Sequence, residues 1–215
     1  ARYGRDTLQD KQRNKEHLLR RFGAWTANDP PPLLGMIGRL CRQKGIDLLA
    51  EALDELVALD VPIIILAAGE EHFRAILSRA VERHPGRVSF VTGFDIELAR
   101  QIYAGADFLL LPSRYEPCGL AQMIALAYGT IPIAYRTGGL ADTIVDYDAS
   151  PERGNGFLFK EYAVESFVSA VRRALATYRN TDAWTKLRRR AMARRFTWDA
   201  SAKKYMELYR LALAP

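Results

Sequence analysis

Six short apolar runs recur along this chain, each followed by a longer stretch whose apolar residues fall at helical spacing. The runs cover residues 33–37, 63–67, 88–91, 108–111, 131–135 and, more weakly, 156–159. Rich in Ile, Val, Leu and Phe and bounded by Gly or Pro, they read as strands. Residues 46–59, 72–84, 96–104, 118–128, a stretch opening at 137–139, and 163–178 read as the intervening helices. This alternation predicts an α/β fold: a single Rossmann-like, doubly wound parallel sheet of about six strands with helices on both faces. Ligands of such sheets bind outside the carboxyl ends of the strands.

Around this unit the sequence predicts a charged helix over 6–22, stopped by Gly23, with Leu8, Leu18, Leu19 and Phe22 as its apolar contacts. A stiff linker at 28–32 holds three consecutive prolines and cannot continue a helix. The expected organisation is therefore an N-terminal helix and linker over 1–32 and a Rossmann-like α/β domain with C-terminal helices over 33–215. Two further helices are predicted at 182–195 and 198–213. In the second, Tyr205, Leu208, Tyr209 and Ala212 fall on one stripe, whose simplest use is packing within the domain; a stripe turned toward another domain, and exposed in its absence, is the alternative.

The 215 residues suffice for one good core, and 49% hydrophobic with 26% charged residues is ordinary for a globular domain. The net charge of +6 raises the question of nucleic acid. Much of the excess lies in 186–195, which has no interleaved aromatics and no recognisable nucleic-acid motif, so a solvated helix face is the expected role. A surface for another domain or for an anionic polymer is the alternative. No apolar run approaches a membrane span, and residues 1–6 lack the apolar core of a signal peptide. Cys41 and Cys118 are too few for a disulfide scaffold, so a reducing cytoplasm is the expected location. His17, His72 and His84 are spread over predicted helices, and neither a metal nor a cofactor is expected.

The richest stretch is 111–143, LPSRYEPCGLAQMIALAYGTIPIAYRTGGLADT. A strand ending at Pro112 is followed by a loop, 113–117, that delivers Glu116 to the sheet's carboxyl edge. Cys118-Gly119-Leu120 opens one predicted helix and Thr137-Gly138-Gly139 another. Small residues at both starts let an anion approach backbone N–H groups. A carboxylate beside anion-binding backbone suits a ligand with both sugar hydroxyls and phosphates.

Ser113-Arg114-Tyr115-Glu116-Pro117-Cys118-Gly119-Leu120 and Thr137–Thr143, with Gly38-Arg39-Leu40 and Gln43-Lys44-Gly45 upstream, closely resemble the bacterial glycogen synthase and plant starch synthase family. These are retaining glucosyltransferases of the two-Rossmann-domain (GT-B) type, with a plastid stroma as the location in plants. The resemblance implies that Arg39 and Lys44 contact the donor phosphates. Fixed cations there stabilise charge on the leaving phosphate more in the transition state than in the ground state. By themselves the two are loop cations, and solvent exposure is the alternative. Glu116 inherits the carboxylate that orients the transferred glucose; a loop carboxylate paired with Arg114 is the other possibility. Phe94 occupies the place of an aromatic that stacks on the donor's adenine, against a core aromatic under a loop. Cys118, Gly119, Leu120, Gly138 and Gly139 complete the implied donor site, the glycines being equally suited to helix-entry turns. Many related GT-B enzymes carry a second Glu eight positions after the first, where this chain has Ile124. Ala121 stands where the family often has Thr.

The resemblance further implies that the chain is the C-terminal, donor-binding half of an enzyme that transfers glucose from ADP-glucose to an α-1,4-glucan. Nothing in 1–32 corresponds to the acceptor-binding N-terminal domain, without which the chain is expected to be inactive. No nucleic-acid or membrane partner is expected. Alternatives are another GT-B glycosyltransferase and a non-catalytic nucleotide-sugar-binding module. A dinucleotide oxidoreductase is disfavoured because no G-x-G-x-x-G follows the first strand.

Overall fold

The computed structural model describes residues 1–24 and 30–213. Six strands make one sheet: β1 (Leu34–Leu40), β2 (Ile63–Gly69), β3 (Val88–Thr92), β4 (Phe108–Leu111), β5 (Ile131–Tyr135) and β6 (Phe157–Phe159). All pair in parallel, in the order β3-β2-β1-β4-β5-β6. The chain steps outward from β1 to β3, then returns to lay β4 against the other side of β1. The strand order reverses there, which opens a crevice at the carboxyl ends of β1 and β4.

Nine α-helices accompany the sheet among the described residues: α1 (Lys11–Arg21), α2 (Ile46–Val57), α3 (Glu71–Arg83), α4 (Ile96–Gly105), α5 (Ala121–Ala127), α6 (Gly138–Thr143), α7 (Val164–Arg179), α8 (Thr181–Ala193) and α9 (Trp198–Ala212). Successive side chains of a strand point to opposite faces, and β4 shows the consequence. Phe108 and Leu110 enter the main core with Leu49 and Leu53 of α2 and Phe167 and Val171 of α7. Leu109 and Leu111 face the other way, toward Tyr103 of α4 and Ala125 of α5. Burial on both faces explains why the strands carry near-continuous apolar sequence.

Helix α1 is anchored by Leu18 and Leu19, which pack with Leu98 and Ile102 of α4. Its charge is not all on the surface. Lys11 and Lys15 are buried. The Lys11 ammonium donates to the carbonyls of Tyr103 and Ala104, both at 3.0 Å, and to Thr130 Oγ1 at 2.7 Å. It thereby satisfies carbonyls left open at the end of α4. Lys15 pairs with Asp107 at 3.0 Å and with the Tyr178 hydroxyl at 2.8 Å.

Two expectations are corrected by packing. The basic run 186–195 is not simply a solvated face: the Arg188 guanidinium lies 5.1 Å from the Trp184 ring centre, and Arg190 donates to the Gly154 carbonyl at 2.6 Å. The apolar stripe of α9 does not pack within the domain, because no residue of that helix is buried and Tyr205, Leu208 and Tyr209 are exposed. Of the expected linker, Asn28 and Asp29 lie outside the described residues, and 30–32 are non-helical.

Candidate functional site

The crevice between β1 and β4 is a cavity of about 560 Å³, walled by α4 on one side and α5 on the other. Two loops build its charged end. The β1–α2 loop turns through Arg42–Lys44 and enters α2 at Gly45, whose φ of 73° is left-handed. A Cβ at Gly45 would lie 2.0 Å from the Pro112 carbonyl oxygen, so only glycine lets this loop lie against the β4–α5 loop. Backbone and side chain then lace the two together. Arg114 N–H donates to the Gln43 carbonyl at 3.0 Å, and Gln43 Nε2 donates to the Tyr115 carbonyl at 3.2 Å.

This lacing brings the Lys44 ammonium onto the Glu116 carboxylate as an ion pair. Glu116 is 8% exposed and also accepts from Ser113 Oγ at 3.3 Å. Arg39, expected in the loop, lies instead near the end of β1; it lines the same cavity and donates to Gln43 Oε1 at 2.9 Å. Arg114 is not the partner of Glu116. Its guanidinium donates to Asp47 at 2.7 Å and lies 4.1 Å from the ring centre of Tyr162, whose hydroxyl donates to the same carboxylate at 3.0 Å. Burial alone would raise the Asp47 carboxyl, but the hydrogen bonds from Arg114 and Tyr162 outweigh it and hold it below the usual range. Asp47 is thus a charged anchor behind the Glu116 loop, which sequence reasoning did not single out.

The opposite end is apolar and open. Phe94 is 92% exposed on the rim, which removes the core-aromatic alternative. The Asp95 side chain beside it caps α4 by accepting from Leu98 N–H at 2.8 Å. Ile96, Leu120 and Ile124 are also exposed around the same cavity. Tyr103 and Tyr128, with ring centres 6.0 Å apart, line its inner part. Exposed apolar side chains clustered on one concavity mark a binding surface.

The backbone between the two ends departs from the expected pattern. Helix α5 begins at Ala121, not at Cys118, because Gly119 has a left-handed φ of 74°. Gly119 and Leu120 line the cavity; Cys118 is exposed but does not line it. Gly138 and Gly139 do not line it either. Gly139 N–H donates to the Glu116 carbonyl at 2.8 Å, so the start of α6 braces the loop that carries the carboxylate. The structure thus gathers Arg39, Lys44, Phe94, Glu116, Gly119 and Leu120 around one cavity and leaves Cys118, Gly138 and Gly139 outside its lining.

Gln122 was missed. It is fully buried, and its Nε2 donates to the carbonyls of Cys118 and Gly119, both at 2.9 Å, and to Thr143 Oγ1 at 3.2 Å. Its sequence signal is a lone amide in the apolar run Ala121–Ala127. No group of three or more His, Cys, Asp or Glu among the described residues is placed to hold a metal ion.

A 3-2-1-4-5-6 parallel sheet with a charged, half-apolar crevice at its switch point is the nucleotide-binding class of doubly wound domain. The family model described as "Glycosyl transferases group 1" matches residues 20–192, and the chain belongs to that family. It is 45% identical over 204 residues to a glycogen synthase of Desulfitobacterium hafniense, covering 94% of this chain and 44% of that protein. A glycogen synthase of Geotalea daltonii is 47% identical over 204 residues, covering 95% and 42%. Among solved structures, the catalytic domain of starch synthase IV from Arabidopsis thaliana, bound to ADP and acarbose, superposes with a TM-score of 0.90 at 34% identity. That match covers 98% of this chain and 44% of the other, and it identifies the fold as the C-terminal domain of a GT-B protein. The chain therefore spans less than half the length of these relatives.

Proposed function

We propose that this chain is the donor-binding half of a glycogen or starch synthase, which transfers glucose from ADP-glucose to the non-reducing end of an α-1,4-glucan with retention. The observation that carries the proposal is the Lys44–Glu116 pair, held with Arg39 at the switch point opposite an exposed Phe94. A nucleotide sugar would divide that pair. Its phosphates take the Lys44 ammonium and the Arg39 guanidinium, and sugar hydroxyls donate to the Glu116 carboxylate. As the glycosidic bond to phosphate breaks, charge grows on the leaving phosphate oxygen, where two fixed cations stabilise it. Glu116 meanwhile fixes the sugar so that its anomeric carbon faces the acceptor. Phe94 offers a ring face to the base. ADP and acarbose in the starch synthase IV structure support the nucleotide and the glucan in turn. A second domain, on the length of the relatives, would present the glucan.

Calorimetry on the 215-residue chain tests this. ADP and ADP-glucose should bind, ADP more tightly than UDP, with the preference reduced in Phe94→Ala. Labelled glucose should not enter glycogen. Failure of both adenine nucleotides to bind would remove the donor site, and robust incorporation would show that the acceptor domain is dispensable.

A further inference from the structure

The Gln122 amide has one end crowded with partners and one end with none. Its Nε2 faces the Cys118 and Gly119 carbonyls and Thr143 Oγ1, whereas its Oε1 is buried with no hydrogen-bond partner. The orientation is fixed chemically. Thr143 Oγ1 donates onward to the Gly139 carbonyl, so turning the amide over would set its oxygen against two carbonyl oxygens. A buried amide oxygen without a partner calls for a reason outside packing.

The reason lies in the peptide groups it holds. In a trans peptide the N–H points opposite to the C=O. Pinning the Cys118 carbonyl toward the core turns the Gly119 N–H away from it, and pinning the Gly119 carbonyl does the same to the Leu120 N–H. Among the described residues neither N–H has a protein acceptor, and both residues line the cavity beside Glu116 and Lys44. Gly119 is left-handed, and a Cβ there would lie 2.5 Å from Gln122 Oε1, so the glycine and the glutamine form one unit.

We propose that Gln122 is a positioning residue of the donor site: its side-chain amide holds the 118–120 backbone so that the Gly119 and Leu120 N–H groups face the phosphate-bearing end of a nucleotide sugar. This rests on the donor-site reading above. Beside the backbone geometry stands the buried Gln122 Oε1, which has no hydrogen-bond partner.

The test is an NMR titration of the ¹⁵N-labelled chain with ADP and, separately, with adenosine. In the wild type, ADP should shift the Gly119 and Leu120 amide protons downfield and adenosine should not. In Gln122→Leu, ADP affinity should fall about tenfold, the value of one weakened hydrogen bond to a charged acceptor, with adenosine affinity unchanged. Gln122→Glu, of the same size but without the donor, should behave likewise. Equal losses for ADP and adenosine would mean a general disturbance and overturn the proposal. So would ADP binding that leaves both amides unshifted, a result that needs no variant and leaves the donor site standing. A wild type that binds no ADP would remove the donor site and this inference together.

Discussion

Lys44 and Glu116 lie 72 positions apart in the chain and meet because Gly45 lets one loop rest on the other. The side chains neutralise each other where a phosphate and a sugar would later take their places. Removing either therefore leaves its partner without a counter-charge and, on the proposed donor-site reading, weakens a contact to substrate as well. In the intact transferase, Lys44→Ala should lower kcat by about 10²–10³, the usual loss for one donor aimed at developing charge. Glu116→Gln should also lower kcat, through loss of sugar orientation. Steady-state kinetics with ADP-glucose checks both, and near-wild-type turnover in the pair would mean the charged end has been misassigned. At this scale the sequence was partly legible. Glu116 and Lys44 stand in recognisable motifs, and the structure puts them in contact. Asp47, Arg114 and Tyr162 form their cluster from three separate loops and helices, and no local pattern announces such an assembly. Gln122 was hidden for a different reason: one amide in a helix usually faces solvent, whereas this one is buried against the Cys118 and Gly119 carbonyls.

Among the elements, every strand was legible because burial on both faces forces uninterrupted apolar sequence; 108–111 and 131–135 coincide with β4 and β5, whereas β1 runs on through Arg39 to Leu40, past its expected end at 37. Helix starts were harder. Cys118-Gly119-Leu120 looks like a helix opening, yet a left-handed glycine lies outside it and α5 starts one residue after Leu120. Helix α1 was read as charged, and its two buried lysines share a stripe with Leu18 and Leu19 that polarity conceals. Lys11 gives that element a pH dependence. Burial lowers its ammonium to about 7 from 10.5, with Asp107 opposing and Arg188 and Lys15 reinforcing the shift. Between these values the unfolded chain binds the proton and the folded one does not. The folded state therefore gains stability from this group as pH rises from 7, and the burial penalty is present in full below it. The difference in Tm between wild type and Lys11→Met should move in favour of the wild type from pH 6.5 to pH 9. A difference that stays constant across that range would show that Lys11 titrates as an ordinary lysine.

Over the whole molecule, the sheet, the seven helices before α8 and α8 itself share a continuous set of packed layers, whereas α9 stands outside it. Trp198, Tyr205, Met206, Leu208, Tyr209 and Leu211 are exposed on that helix, which buries none of its residues. An element that buries nothing contributes little to cooperative stability, since packing supplies most of what holds a helix in a fold. Its exposed apolar side chains are expected to act between molecules, since contiguous apolar surface promotes association. A chain ending at Arg195 should therefore keep the Tm of the 215-residue chain to within about 2 °C, the shift expected when surface contacts worth under 1 kcal/mol are lost. It should also stay monomeric to higher concentration in sedimentation than the 215-residue chain, and ADP affinity should be the same in both, because every residue lining the crevice precedes α7. A fall in Tm of 5 °C or more would mean that α9 packs onto the domain in solution, and the exposure of its apolar face would have to be given up.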